Sequence, residues 1–288
     1  MDLKALTLAT RRSPLARRQT ELAAEHLREQ FPGIDIETLE VTTTGDRRKS
    51  WSLEERGGKG LFTKELEEAV LEGRADIAVH SAKDLPTEEP PGLVICGYLP
   101  REAPHDVFAM REGVTEVREI ATSSPRRRFQ AKTLYPKACW GEIRGNVDTR
   151  LKKVVLGHAD ATILAAAGLN RLGLNDFEGI EFKAFTLDEM VPAAGQAAVA
   201  LQCRPTLAET LSPRLCGRTG ATVHLEREVL SRLGGGCHVA TAVHHDGRKL
   251  HVFHESVGKL SETFPIEDEG VVQKRLEEFM ERHFASLS

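Results

Sequence analysis

The chain has 288 residues, 40% apolar and 28% charged, which is enough for two or three domains with cores of their own. A formal charge of −4 gives no global basic field, and the few aromatics, 5%, are not interleaved with the arginine runs, which argues against nucleic-acid binding. Cysteines at 96, 139, 203, 216 and 237 form no CxxC pair and no run approaches the ~20 apolar residues of a membrane span, so we expect a soluble cytosolic chain without disulfide framework, metal site or leader.

Residues 4–10 read as a strand that delivers Arg11, Arg12 and Ser13 to a turn, where Ser13 caps and Pro14 opens a helix over 15–30. Leu15, Leu22, Ala23 and Leu27 fall at helical spacing. Residues 34–41 form a second strand leading into Thr42-Thr43-Thr44-Gly45-Asp46, and the charged, aperiodic stretch 47–59 is expected to be a mobile loop. Residues 61–72 read as a helix with Phe62, Leu66, Ala69 and Val70 on one face and Gly73 as its stop. Ile77, Ala78 and Val79 then make a buried strand ending near His80. The next residues, Ser81-Ala82-Lys83-Asp84-Leu85-Pro86, fall beyond the strand's carboxyl end, where α/β sheets place ligands; Asp84 is the candidate catalytic acid. A Lys-Asp dipeptide taken alone more often pairs locally or caps a turn.

Residues 93–97 and 106–110 read as strands bracketing a connection between domains at 100–104. A second α/β unit begins with a strand at 120–122, the cap Ser123-Ser124, and a helix from Pro125 whose first turn holds Arg126, Arg127 and Arg128. Three cations there oppose the helix dipole and ask for an anion, although a charge run by itself is usually a solvated face. The pattern recurs where a strand end at Ile143 passes Arg144 and Gly145 into a helix running to Leu156. It recurs again where a strand over 160–166 runs into Gly168 and Arg171. Arginine after strand, at 11, 126, 127, 144 and 171, predicts cations converging on one crevice for a polyanionic ligand.

Residues 191–196 read as a turn, 197–203 as a strand returning to the first domain, and 219–233 as a helix that ends in Gly234-Gly235-Gly236-Cys237. Strands at 239–245, 250–254 and 259–266 and a last helix over 270–287 complete a small α+β unit. A lone cysteine is more often a small buried hydrophobe than a reactive group. The three glycines before Cys237 supply backbone freedom for a tight turn or for close approach to the sulfur. His238 is adjacent, but sequence neighbours generally point apart.

Eight segments carry a family resemblance: ATRRSPLA (9–16), TTGD (43–46), GGKGLF (57–62), ADIAVHSAKDLP (75–86), ATSSPRRR (121–128), IRGNVDTRL (143–151), LAAAGLNRLGL (164–174) and LGGGC (233–237). In this order, and over nearly the whole chain, they resemble the hydroxymethylbilane synthase, or porphobilinogen deaminase, family. The resemblance implies an α/β fold of two lobes like type II periplasmic binding proteins, plus a small α+β C-terminal domain. Its divisions would be residues 1–98 with 193–212, residues 99–192, and residues 213–288.

The resemblance also implies a transferase of tetrapyrrole biosynthesis. Such an enzyme joins four porphobilinogen molecules head to tail on a covalent dipyrromethane cofactor, releases ammonia each time, and hydrolyses off hydroxymethylbilane. It would work as a cytoplasmic monomer with no metal, nucleic-acid or membrane partner. Cys237 would carry the cofactor through a thioether, and Lys83, Ser124, Arg126, Arg127, Arg144 and Gly145 would hold it. Arg11, Ser13, Arg150 and Arg171 would meet substrate, with Lys59 and Phe62 closing over the site. Asp84 would assist loss of ammonia and later take up a proton. Bidentate arginines suit the acetate and propionate that every porphobilinogen unit brings.

This chain departs from the family pattern at Ala197, where GQGA is usual and GQAA stands, at His238, where proline is common, and at Ala82, where a larger residue is frequent. None of these removes a group from the implied chemistry; they leave room for altered rate or hinge motion. A solute-binding protein of the same two-lobe fold is the rival reading, since it would use the arginines without chemistry.

Overall fold

Alternation of buried and open positions in Ala5-Leu6-Thr7-Leu8 starts the first strand, β1 (Ala5–Arg11), whose neighbours on both sides run parallel to it. The computed structural model describes residues 3–47, 62–234, 239–266 and 268–285. Helix α1 (Pro14–Gln30) comes at once because the Ser13 side chain accepts the Ala16 amide and Pro14 occupies the first turn; it buries Ala23 and Leu27 against the sheet. Strand β2 (Asp35–Val41) leads to a single turn, α2 (Thr44–Arg47), and α3 (Lys64–Leu71) packs Leu66, Ala69 and Val70 on the sheet's other face. Strands β3 (Ile77–Ser81) and β4 (Val94–Tyr98) complete the outward run.

The chain then crosses into a second lobe. It contains β5 (Asp106–Arg111), β6 (Glu119–Ala121), α4 (Pro125–Lys132), β7 (Cys139–Gly141), α5 (Val147–Val155), β8 (Ala161–Ala165), α6 (Ala166–Leu172) and β9 (Ile180–Ala184). It returns through β10 (Val199–Cys203) and α7 (Pro205–Leu211). The C-terminal unit is built from α8 (Gly217–Arg232), β11 (Thr241–His245), β12 (Lys249–His254), β13 (Gly258–Thr263) and α9 (Glu269–Phe284). Its core packs Leu225 and Val229 of α8 with Val243, Leu250, Val252, Leu276 and Phe279.

Two sheets share one logic. The first has the order β2-β1-β3-β10-β4 and the second β7-β6-β8-β5-β9. In each, the fourth strand is the one that comes after a crossing between lobes, and it runs antiparallel to both neighbours. Two α/β lobes are what the family resemblance implies. The three-stranded sheet, β11-β12-β13, is antiparallel. The two crossings, residues 99–105 and 191–198, form the hinge.

The strand and helix expectations hold at most places, with local differences. Phe62 precedes α3 instead of lying on its face, because the helix starts after Thr63. Ile143 lies outside any strand; the strand before it is β7, three residues whose brevity gives no readable period. Strand β9 and helix α7 also have no counterpart in the sequence reading: β9 is half exposed at an edge, and α7 has only seven residues. The stretch 48–61, with Lys59, and residues 235–238, with Cys237 and His238, lie outside the described residues.

Candidate functional site

Strand β3 ends the first sheet's parallel run and delivers a single 3-10 turn, Ala82–Asp84, into the space between the lobes. His80, behind it, is buried and lies 3.1 Å from Gln202 Oε1 through its Nε2; burial lowers the imidazole to about 4, so it is neutral and structural. Ser81 accepts Gln19 Nε2 at 2.9 Å, tying the strand end to α1. On the far side of the turn, Arg227 of α8 donates from Nη2 to the Pro86 carbonyl at 2.6 Å. The turn is therefore held at both ends while Lys83 and Asp84 stay open to the crevice.

That crevice has a volume of about 330 Å³. The first lobe contributes Arg11, Ser13, Phe62, Lys83 and Asp84, and the second contributes Arg127, Arg144, Gly145, Arg150 and Arg171. Arg11, at the end of β1, lies 4.2 Å from the Phe62 ring centroid, a cation–π contact. Arg150 reaches back from α5 and donates from Nε to the Gly145 carbonyl at 2.8 Å. Gly145 sits at φ +122, and a Cβ there would meet Thr149 at 2.9 Å, so glycine is required for this approach. Arg171 donates from Nη2 to the Ala197 carbonyl at 2.6 Å across the hinge.

Crowded cations shift one another. Lys83 is reached by solvent in the crevice, yet both lobes enclose it; burial, then Arg127 nearby, lowers its ammonium to about 8 against the pull of Asp84 and Asp106. Burial, with Arg127 and Arg144, brings Arg150 down to about 10. A site that depresses its own cations is short of negative charge, and a ligand with several carboxylates supplies it.

One predicted feature needs correction. The anion that Arg126 and Arg127 require at the α4 N-terminus is supplied inside the chain, by Asp106 at the start of β5. Arg126 donates to Asp106 from Nη1 at 2.7 Å and to the Val191 carbonyl at 2.8 Å. Arg127 donates to Asp106 from Nη2 at 2.8 Å and from Nε at 2.9 Å, and to the Ile163 carbonyl from Nη1 at 2.9 Å. Burial alone would raise the Asp106 carboxyl, but the two guanidinium groups hold it well below the usual carboxylate range. Arg127 still lines the crevice; Arg126 and Ser124 do not, Ser124 serving as the α4 cap that accepts the Arg127 amide. Buried Gln196 joins the network through Nε2, to the Pro104 carbonyl at 2.6 Å and to Asp106 at 3.1 Å. Sequence reasoning misses Asp106 because an acid opening a strand carries no signal of its own; the excess of arginine opposite is the only clue.

Glu226 of α8 plays the corresponding part between the hinge and the C-terminal unit. Fully buried, it accepts Arg101 bidentately at 2.7 and 3.0 Å, the Gly195 amide at 2.7 Å and the His245 amide at 2.8 Å, with His244 Nδ1 at 3.0 Å. Burial pushes its carboxyl up, but His244 and Arg101 overcome this and bring it to about 2.

The hinge carries the described chain's one non-glycine residue at positive φ, Ala197 at +72. The left-handed region costs an alanine ~1–2 kcal/mol, which accounts for glycine being usual at this place in the family's GQGA. Two residues earlier, Gly195 at φ +69 presses on the Ala82–Asp84 turn: a Cβ would lie 3.0 Å from the Ala82 Cβ and 3.2 Å from the Lys83 amide nitrogen. A small residue at position 82 fits this close approach.

Two α/β lobes thus enclose a cleft that gathers cations around one exposed carboxylate, a lining whose charge suits polyanionic ligands. A family model described as "Porphobilinogen deaminase, dipyromethane cofactor binding domain" matches residues 6–212. The porphobilinogen deaminase of Thiobacillus denitrificans is 42% identical over 257 residues, spanning 85% of this chain and 83% of its own. That of Trichlorobacter lovleyi is 42% identical over 252 residues, 85% of this chain and 80% of its own, and that of Geobacter sulfurreducens 41% over 252 residues, 85% and 78%. The chain belongs to the porphobilinogen deaminase family. Solved structures that align with it include the Bordetella pertussis BvgS VFT2 domain, 16% identical with a TM-score of 0.43 over 74% of this chain and 86% of that one. Among the described residues, no helix is long and apolar enough to cross a membrane, and no cluster of His, Cys, Asp and Glu has the makings of a metal site.

Proposed function

We propose that the crevice between the lobes is the active site of a hydroxymethylbilane synthase, a transferase that condenses four porphobilinogen molecules and releases ammonia and finally hydroxymethylbilane. The observation that carries this reading is Asp84, exposed on a pinned turn in a crevice whose other charged lining residues, among those described, are Lys83 and five arginines. A binder of a simple polyanion needs the cations but has no use for an acid aimed among them.

The dipyrromethane cofactor fits this lining by charge: its carboxylates match the buried cations that crowd one another here. Lys83, Arg127, Arg144 and Gly145 would hold it, with Cys237 as the attachment point. When bound, it supplies the primer carbon on which the chain is built. Arg126 acts one step back, fixing Asp106 and through it Arg127. Arg11, Ser13, Arg150 and Arg171 receive the incoming unit's acetate and propionate, and Phe62, stacked on Arg11, shields that end from water.

Asp84 handles the protons. Its carboxylate accepts hydrogen bonds from the aminomethyl nitrogen and the pyrrole N–H of porphobilinogen, and stabilises the positive charge left on the ring as ammonia departs. It then takes the proton released when the new carbon–carbon bond restores aromaticity. One carboxylate serves both stages because the proton it takes in the second is lost before the next unit binds.

The division into residues 1–98 with 193–212, residues 99–192 and residues 213–288 belongs to the same proposal, as do a monomeric state and a cytoplasmic location. The test is mass measurement of purified protein with and without Cys237→Ala. The wild type should carry the mass of a dipyrrole that the variant lacks, and the variant should be inactive. An unmodified, fully active wild type would refute the assignment.

A further inference from the structure

A second cavity, of about 630 Å³, lies where the hinge, the second lobe and the C-terminal unit meet, and among the described residues it shares no lining residue with the crevice. Its walls come from hinge residues 100–105, residues 185–187, the start of α8, and the end of β11 with the turn beyond it.

His244 forms part of this wall. Its side chain is 4% exposed and its Nδ1 is engaged by Glu226, while among the described residues its Nε2 has no hydrogen-bond partner and is not sealed from the cavity. Arg218, near the start of α8, extends toward the turn at Gly247; its Nη2 lies 3.2 Å from where a Cβ on that glycine would sit, so a side chain there would displace it. Among the described residues, neither the Arg218 guanidinium nor the His105 imidazole makes a hydrogen bond.

The other charged groups of the wall are committed. Asp246 accepts the Arg248 and Lys249 amides at 2.8 and 2.7 Å and faces His251 Nε2 at 3.0 Å. Glu102 accepts the Ala103 amide at 2.9 Å and Asn170 at 3.3 Å. Arg101 is held by Glu226 and the Gln196 carbonyl. His245 is bonded through both ring nitrogens, to the Phe264 carbonyl and the Gly247 amide. The basic side chains left with hydrogen-bonding capacity are therefore Arg218, His105 and His244.

We propose that this cavity binds a small organic oxyanion, held by Arg218, His105 and His244. Because His244 shares Glu226 with Arg101 and with the Gly195 amide, an occupant here bears directly on the hinge segment that presses on the catalytic turn. With Nδ1 engaged by Glu226, His244 Nε2 donates to an anion only in the imidazolium form.

Isothermal titration of the cofactor-loaded protein tests this, with succinate and inorganic phosphate as probes and sodium chloride holding ionic strength constant. The expected result is saturable binding that Arg218→Gln weakens about tenfold, the loss of one charge-assisted bond, and that His105→Gln also weakens. Arg150→Leu, which disables the crevice, should leave that event intact, and Arg218→Gln should leave basal turnover unchanged. If only phosphate depends on Arg218 the occupant is a phosphate ester; if only succinate does, it is a carboxylate. Absence of saturable binding, equal binding by wild type and Arg218→Gln, or loss of all binding in Arg150→Leu overturns the proposal.

Discussion

One oxygen of Asp106 accepts both Nε and Nη2 of Arg127, at 2.9 and 2.8 Å, and so aims this arginine along the wall of the crevice. The pair is buried, and its ion-pair energy is largely offset by desolvation; what it provides is a fixed direction for Arg127. Breaking one side leaves two buried guanidinium groups without an anion. Asp106→Ala should therefore cost ~3–5 kcal/mol of stability, read as a drop in the midpoint of urea unfolding. A loss below ~1 kcal/mol would mean that water or a neighbour replaces the carboxylate.

Asp84→Asn keeps the size of the side chain and removes its proton-transfer capacity. The variant should fold normally by circular dichroism and lose ~10²- to 10⁴-fold in turnover. Activity within a few-fold of wild type would make Asp84 a structural residue.

The hinge offers a paired comparison. Gly195→Ala places a Cβ 3.0 Å from the Ala82 Cβ at φ +69, so it should destabilise by ~1–3 kcal/mol and lower kcat by moving Lys83 and Asp84. Ala197→Gly relieves a residue at φ +72 and should be neutral or stabilising by up to ~1 kcal/mol, the gain being partly offset by the freer unfolded chain. Thermal unfolding of both variants checks the pair, and a destabilised Ala197→Gly would show that the methyl group's packing outweighs the strain.

Lys83 binds carboxylates as an ammonium, and its charge is lost as pH rises through about 8. In cofactor-free protein, made with Cys237→Ala, affinity for a polycarboxylate should therefore fall along a basic limb near that value, read by titration calorimetry at stepped pH. Lys83→Arg should shift that limb upward. For stability the sign is opposite: the unfolded lysine keeps its proton to 10.5, so unfolding binds protons and this residue's contribution increases between about 8 and 10.5.

Glu226 behaves in the reverse sense. Its folded carboxyl, at about 2, lies below the unfolded value of 4.5, so its contribution to stability is complete above 4.5 and is lost as pH falls through about 2. Asp106, shifted in the same direction, adds to this. Denaturation at stepped pH should show acid destabilisation over that interval, shallower in Glu226→Gln.

Features with local causes are legible along the chain. Ser13 before Pro14 and Ser124 before Pro125 specify two helix starts, and both caps form as written. The apolar run before His80 specifies a buried strand, and strand geometry then places Lys83 and Asp84 beyond its end. Arginines recurring after strands meet in one crevice because parallel strands deliver their carboxyl ends to one edge of each sheet. Which arginines face the ligand space is settled later, by contacts between distant segments. Arg126 and Arg127 are neighbours of one residue type and both bond a buried Asp106 some twenty residues away, yet only Arg127 also lines the crevice, while Arg126 turns to the Val191 carbonyl. The same holds for Glu226, whose partners lie on three separate segments. Charge pairing inside a low-dielectric core depends on distances between distant parts of the chain, and nothing in the spacing of residues along the sequence encodes it.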